Sequence, residues 1–192
     1  MEEIISRKFI KQISYTNKQG EVIENNIFFN FKTKSRIWDG VGANGYLASL
    51  IMEGRQSFKR SPSSEKLLVL DTKKIDSAIV KLAKEADYEG CEGYQHKKVE
   101  DYFMLRDNRT IAVEIPVWSE GMDMSGFVDI LRYFPEEDIY QFLYFKPKAK
   151  GERKAATQLY YTRKMFCERA VIDPKKVDAI YFDNQCAYKL IS

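Results

Sequence analysis

The chain has 192 residues, enough for one domain with a substantial core, and its 44% hydrophobic and 14% aromatic content is that of a globular protein. A formal net charge of +3 is too small to demand a polyanionic partner, so any nucleic-acid contact must come from local clustering. The three cysteines, Cys91, Cys167 and Cys186, form no CxxC pair, which excludes the usual ligand spacing of zinc and iron–sulfur centres.

Those cysteines read as reduced thiols of a cytoplasmic protein. The opening residues lack the order of a signal peptide. No apolar run approaches the ~18 residues that span a bilayer, so no membrane partner is expected.

Residues 7–16 and 21–32 are rich in β-branched and aromatic residues and flank the turn-forming Asn17-Lys18-Gln19-Gly20, which predicts a β-hairpin. Tyr46 to Met52 is a helix-like run inside a glycine-punctuated stretch. Gly40, Gly42 and Gly45 formally complete a dinucleotide-binding fingerprint there. Ser35 to Asp39 is nevertheless a poor buried strand, and no βαβ unit with a ribose-binding acid follows, so the match reads as coincidence. Arg55 to Lys66, with Ser61-Pro62-Ser63-Ser64, reads as a loop. From Asp71, read as a cap, Ile75, Ile79, Leu82 and Ala86 recur at helical spacing and predict a helix.

Gly90 and Gly93 interrupt, and a second helix is predicted from about Tyr94 to Leu105. Strands are predicted over 110–118, 127–134 and 139–146, with Pro135-Glu136-Glu137 turning the second antiparallel to the third. Ala155, Leu159, Met165 and Phe166 give 152–169 helical periodicity, and Pro174 lies just beyond. A strand over 177–182 and a short one over 187–191 complete the chain. There is no internal repeat. The expectation is a single α/β domain over 1–192, in which 1–92 is an N-terminal hairpin and helical elaboration on a core at 93–192 with a central mixed sheet.

Residues that can carry chemistry fall on the core elements in a fixed order. His96 and Glu100 lie one helical turn apart and share a face. Gly126-Phe127-Val128-Asp129 places an acid in an apolar strand, where a charge is costly unless it has partners. Tyr144-Phe145-Lys146 ends the next strand, and residues two apart on a strand point to the same side. Gln158 and Tyr161 follow on the next helix. Singly, each has a plainer reading as a helix-surface or strand-end residue.

As an ordered set over roughly residues 93–183, they resemble the PD-(D/E)XK nuclease superfamily, in its RecB-like branch. The resemblance implies a restriction-endonuclease-like core of helix, three strands, helix and strand. It also implies metal-dependent hydrolysis of DNA phosphodiester bonds with Mg2+ or Mn2+ as cofactor. On that reading His96, Glu100 and Asp129 hold the cation, and Asp129, Glu100, Lys146, Gln158 and Tyr161 form the catalytic set. Lys146 would orient water or stabilise charge on the phosphate, while Gln158 and Tyr161 position DNA or the lysine. Glu114, another acid among apolar neighbours, is a further metal-ligand candidate if it faces the same pocket.

Tyr144 departs from the pattern, which has a carboxylate at that position. A phenol with a pKa near 10 is a poor ligand for a hard cation at neutral pH. Three functions therefore stay open: a metal-dependent nuclease with a degenerate site, an inactive nuclease-fold protein that binds nucleic acid or a protein partner in a DNA-processing or defence complex, and a purely structural subunit. Lys148, Lys150, Arg153 and Lys154 follow the motif and read either as a solvated loop or as phosphate-backbone contacts. The N-terminal region is the expected place for a protein partner.

Overall fold

Met124–Phe134, Ile139–Phe145 and Val177–Phe182 are apolar runs buried along almost their whole length, which is the pattern of strands covered on both faces. They form the centre of the computed structural model, which describes residues 3–16, 19–35, 44–52, 62, 65–88 and 95–191. Cys91, Gly90, Gly93, the Gly40–Gly42 part of the glycine pattern, the hairpin turn at 17–18 and most of the 55–66 loop lie outside the described residues.

In chain order the elements are β1 (Ile4–Thr16), β2 (Val22–Lys34), α1 (Asn44–Met52), β3 (Thr72–Ile75), α2 (Ala78–Tyr88), α3 (Gln95–Arg106), β4 (Thr110–Ser119), β5 (Met124–Phe134), β6 (Ile139–Phe145), α4 (Lys154–Ala170), a 3-10 turn at Pro174–Lys176, β7 (Val177–Phe182) and β8 (Ala187–Leu190). The eight strands form one mixed sheet in the order β1-β2-β4-β5-β6-β7-β8-β3. β4, β5 and β6 are antiparallel neighbours, whereas β7 runs parallel to β6, as the intervening α4 crossover permits. The N-terminal strands extend this sheet at both ends, with the β1–β2 hairpin beside β4 and β3 beside β8. Among the described residues no helix is long and apolar enough to cross a membrane.

The helix expected from Asp71 is corrected by the structure. Thr72–Ile75 is a strand that pairs with β8, Ile75 opposite Ala187, and the helix begins only at Ala78. Its first turn is capped by Ser77, whose hydroxyl accepts from the Ile79 amide at 3.2 Å. The apolar period runs unbroken across this boundary because Ile75 and Ile79 both face the same core.

Two apolar clusters cover the two faces of the sheet. One gathers Leu159, Met165 and Phe166 of α4 and Leu47 and Leu50 of α1 over Val128, Phe142 and Tyr144. The other gathers Ile79 and Ala83 of α2 and Val99 and Phe103 of α3 over Ile130, Leu143 and Phe145. A buried ion pair fixes the turn from α3 into β4. Asp107 accepts from Arg132 Nε at 2.7 Å and from the Thr110 hydroxyl at 2.7 Å, and Lys34 donates to the Asp107 carbonyl at 2.8 Å. Removing one partner of such a pair typically costs about 3–5 kcal/mol, because the other charge is left buried and unpaired.

Candidate active site

The site begins where the sheet splits. β5 and β6 pair from Phe134↔Ile139 to Ile130↔Leu143 and then part. In place of the next ladder bond, the Asp129 carboxylate accepts the Phe145 amide at 3.1 Å. Because the strands splay there, side chains from helices on opposite faces of the sheet reach one another. His96 and Glu100 of α3 and Gln158 and Thr162 of α4 line a single cleft of about 300 Å³ with Asp129 and Lys146.

On the α3 side three groups converge. His96 Nδ1 is 2.8 Å from Glu100 Oε1, and its Nε2 is 3.0 Å from Asp129 Oδ2. A donor atom from each residue lies within 4.8 Å of the others. Glu100 is only 3% exposed and Asp129 8%, so neither behaves as a surface charge. The Phe145 ring meets the imidazole edge-on, with centroids 5.9 Å apart.

The electrostatics follow from that packing. Burial opposes a charge on His96, but the Asp129 charge and the hydrogen bonds that the ring donates to Asp129 and Glu100 outweigh it and push its pKa up to about 11. Burial, helped by the charges of Asp129 and Glu114 and opposed by His96, raises the Glu100 pKa to about 7. Without a cation the cluster therefore holds an imidazolium between two carboxylates. Two carboxylates and an imidazole at this spacing could hold a metal ion. Such a ligand set needs the imidazole neutral, with one ring nitrogen withdrawn from its carboxylate.

Comparisons with family models, curated proteins and solved structures find no match.

On the α4 side Lys146 Nζ donates to Gln158 Oε1 at 2.9 Å and lies 5.4 Å from the centre of the Tyr144 ring. The lysine is thus held by an amide and a π face, with its charge kept in the cleft. Tyr144 itself is turned inward. Its hydroxyl donates to the Phe127 carbonyl, and burial, reinforced by the Asp129 charge, raises its pKa well above the ordinary phenol value. It remains a neutral phenol that packs the splayed strands together and lends no anionic oxygen to the cleft.

β4 and β5 reverse their pleat at this point. The pair Val113↔Ile130 belongs to the α3 face and the next pair, Ile115↔Val128, to the α4 face, so alternation flips across Glu114 and Asp129. Glu114 achieves this with φ 52°, and among the described non-glycine residues of positive φ it is the only one inside a strand. Such a conformation costs about 1–3 kcal/mol and persists only where the surroundings enforce it. The Glu114 side chain lines the cleft.

The packing at Gly126 is tight against any side chain. A Cβ there would lie 3.0 Å from Thr162 Cγ2 and 3.3 Å from Pro62 Cγ. Glycine therefore lets α4 and Pro62 close on β5 at the cleft wall.

Of the residues singled out from sequence, His96, Glu100, Glu114, Asp129, Lys146 and Gln158 all line the cleft. Tyr161 does not. It packs against the core edge-on to Tyr160, with centroids 5.2 Å apart, because three residues beyond Gln158 it has turned past the cleft. Lys148, Lys150, Arg153 and Lys154 are exposed and outside the lining, although Lys154 sits four residues before Gln158 on the same stripe of α4. Sequence reasoning missed Asp183. It accepts the Ala149 amide at 2.8 Å as well as those of Gln185 and Cys186 at 2.7 Å, and so pins the basic loop to the β7–β8 turn. Its signal, an acid in Asp183-Asn184-Gln185, resembles any polar turn.

Proposed function

We propose that this chain is a divalent-metal-dependent nuclease that hydrolyses DNA phosphodiester bonds on a PD-(D/E)XK-like core. One observation carries the reading: His96, Glu100 and Asp129 meet in the same cleft as the Lys146–Gln158 pair, at the open end of a strand pair. The order α3, β4, β5, β6, α4, β7, with β7 parallel to β6, supports the core assignment.

The residues divide the work by wall. Asp129, Glu100 and neutral His96 would hold Mg2+ or Mn2+, which when bound supplies Lewis-acid polarisation of the phosphate and a more acidic water. Lys146, held in place by Gln158, faces the phosphate with a fixed positive charge and stabilises negative charge as the bond to the nucleophile forms. The exposed Lys148, Lys150, Arg153 and Lys154 contact the phosphate backbone and add affinity without sequence preference.

The buried, neutral Tyr144 favours a second reading, a nuclease-fold protein that binds DNA or a protein partner without cleaving. Incubation with single- and double-stranded DNA in Mn2+, Mg2+ or chelator separates the two. Metal-dependent cleavage that vanishes in Asp129→Ala and Lys146→Ala supports the enzyme. Binding without cleavage, with cleavage gained in Tyr144→Asp, supports the second reading, and absence of both activities overturns the two together.

A further inference from the structure

We propose that Glu114 is the fourth side-chain ligand of the cation, supplying from β4 the carboxylate that β6 lacks at Tyr144. The inference rests on the metal-dependent reading of the cleft and specifies how the site is completed.

Three observations converge on Glu114. It stands on β4 between Val113 and Ile115, as Asp129 stands on β5 between their partners Ile130 and Val128. It lines the cleft that also contains His96 and Glu100. Its positive φ reverses the strand pleat there, and the other described non-glycine residues with positive φ, Asp123, Asp138 and Val171, all lie in turns or at a helix end. A regular strand could place an apolar residue at 114 without strain. The reversal instead keeps a carboxylate in the cleft, together with the acid of the neighbouring strand.

The other wall offers no substitute. The Tyr144 hydroxyl is committed to the Phe127 carbonyl, and its ring lies under Lys146. A cation in this cleft would therefore be held by α3, β4 and β5, with Lys146 in the same cleft. Glu114 stands outside the compact group formed by His96, Glu100 and Asp129, so it joins by rotating its side chain as the cation enters. Four side-chain ligands, three of them carboxylates, suit a hard cation that keeps its remaining positions for water and phosphate oxygen.

The test is direct Mn2+ binding to the full chain, followed by the electron paramagnetic resonance signal of free Mn2+ at fixed pH, with DNA cleavage measured in parallel. Glu114→Gln should weaken Mn2+ binding roughly tenfold or more, while Glu114→Asp retains most of the affinity. If Glu114→Gln fails to fold, Glu114→Gly serves in its place, because glycine adopts positive φ freely; its expected result is a folded protein with the same loss. Wild-type Mn2+ affinity in Glu114→Gln or Glu114→Gly overturns the assignment. Weakened binding in the variants with no cleavage by the wild type would uphold Glu114 as ligand and sink the nuclease reading. Cleavage by the wild type with Mn2+ affinity unchanged in the variants would do the reverse.

Discussion

His96 would set the terms on which the proposed metal site accepts a cation. In the free protein its imidazolium bridges Glu100 and Asp129, with a pKa of about 11, while Glu100 titrates near 7. Ligation requires neutral imidazole and ionised carboxylate, so cation and protons compete, and each proton released makes the affinity rise about tenfold per pH unit. Above pH 7 only His96 has a proton to lose; below it, Glu100 adds a second. Calorimetric titration with Mn2+ should therefore show affinity climbing about tenfold from pH 7 to 8 and more steeply from pH 6 to 7. Affinity independent of pH would mean that the histidine does not ligate. Tyr144 makes the opposite prediction, that of a structural residue. Tyr144→Phe keeps the ring beneath Lys146 and removes the hydroxyl's bonds to the Phe127 carbonyl and to Thr162, costing about 1–2 kcal/mol in chemical denaturation. Mn2+ affinity should stay at the wild-type value, and a loss would assign the hydroxyl a role in the cleft.

At the scale of elements the site depends on where strands stop pairing. The β5–β6 split at Ile130↔Leu143 admits residues from both faces, and the close approach of α4 to Gly126 sets the width of the opening. Gly126→Ala should push α4 and Pro62 outward and destabilise the protein by about 1–3 kcal/mol. Thr162→Ser removes the methyl nearest the new Cβ and retains the hydroxyl that donates to the Gln158 carbonyl at 2.7 Å. The double variant Gly126→Ala with Thr162→Ser should therefore recover much of the loss, a coupling that additive single effects would contradict. Local sequence made the order of these elements legible, because β4 to β7 and α3 to α4 each carry their own apolar period and turn residues. β3 was not legible, since its partner β8 lies more than a hundred residues away and Ile75 fits the helical period that follows. The pleat reversal was hidden for a similar reason: Val113, Ile115 and Val117 alternate regularly in sequence, and only the backbone at Glu114 shows that Val113 lies on one face and Ile115 and Val117 on the other. The convergence of His96, Asp129 and Lys146 could be anticipated from their order on the elements, whereas the displacement of Tyr161 depends on how α4 is rotated against the sheet.

For the molecule as a whole, the cleft is a concentration of unfavourable terms within an otherwise apolar interior. Glu100 of α3 gathers with Glu114 and Asp129, which lie midway along β4 and β5, and the protein offsets them in the free state with His96 and, across the cleft, Lys146. A bound divalent cation relieves that repulsion in the native state only, because the unfolded chain does not assemble the ligands. Binding must therefore appear as stability, by about 2.7 kcal/mol at a cation concentration 100 times Kd. For a chain of 192 residues this corresponds to roughly 5–10 °C in Tm. Thermal unfolding in Mn2+ should show such a rise, reversed by chelator and absent in Asp129→Asn, which keeps the shape of the side chain and removes its charge. Lys146→Met should leave the rise intact, since in the proposed mechanism the lysine faces phosphate and does not ligate the cation. A chain whose Tm ignores Mn2+ at neutral pH would place the cost of the acidic cleft elsewhere, and the metal-dependent reading would fall with it.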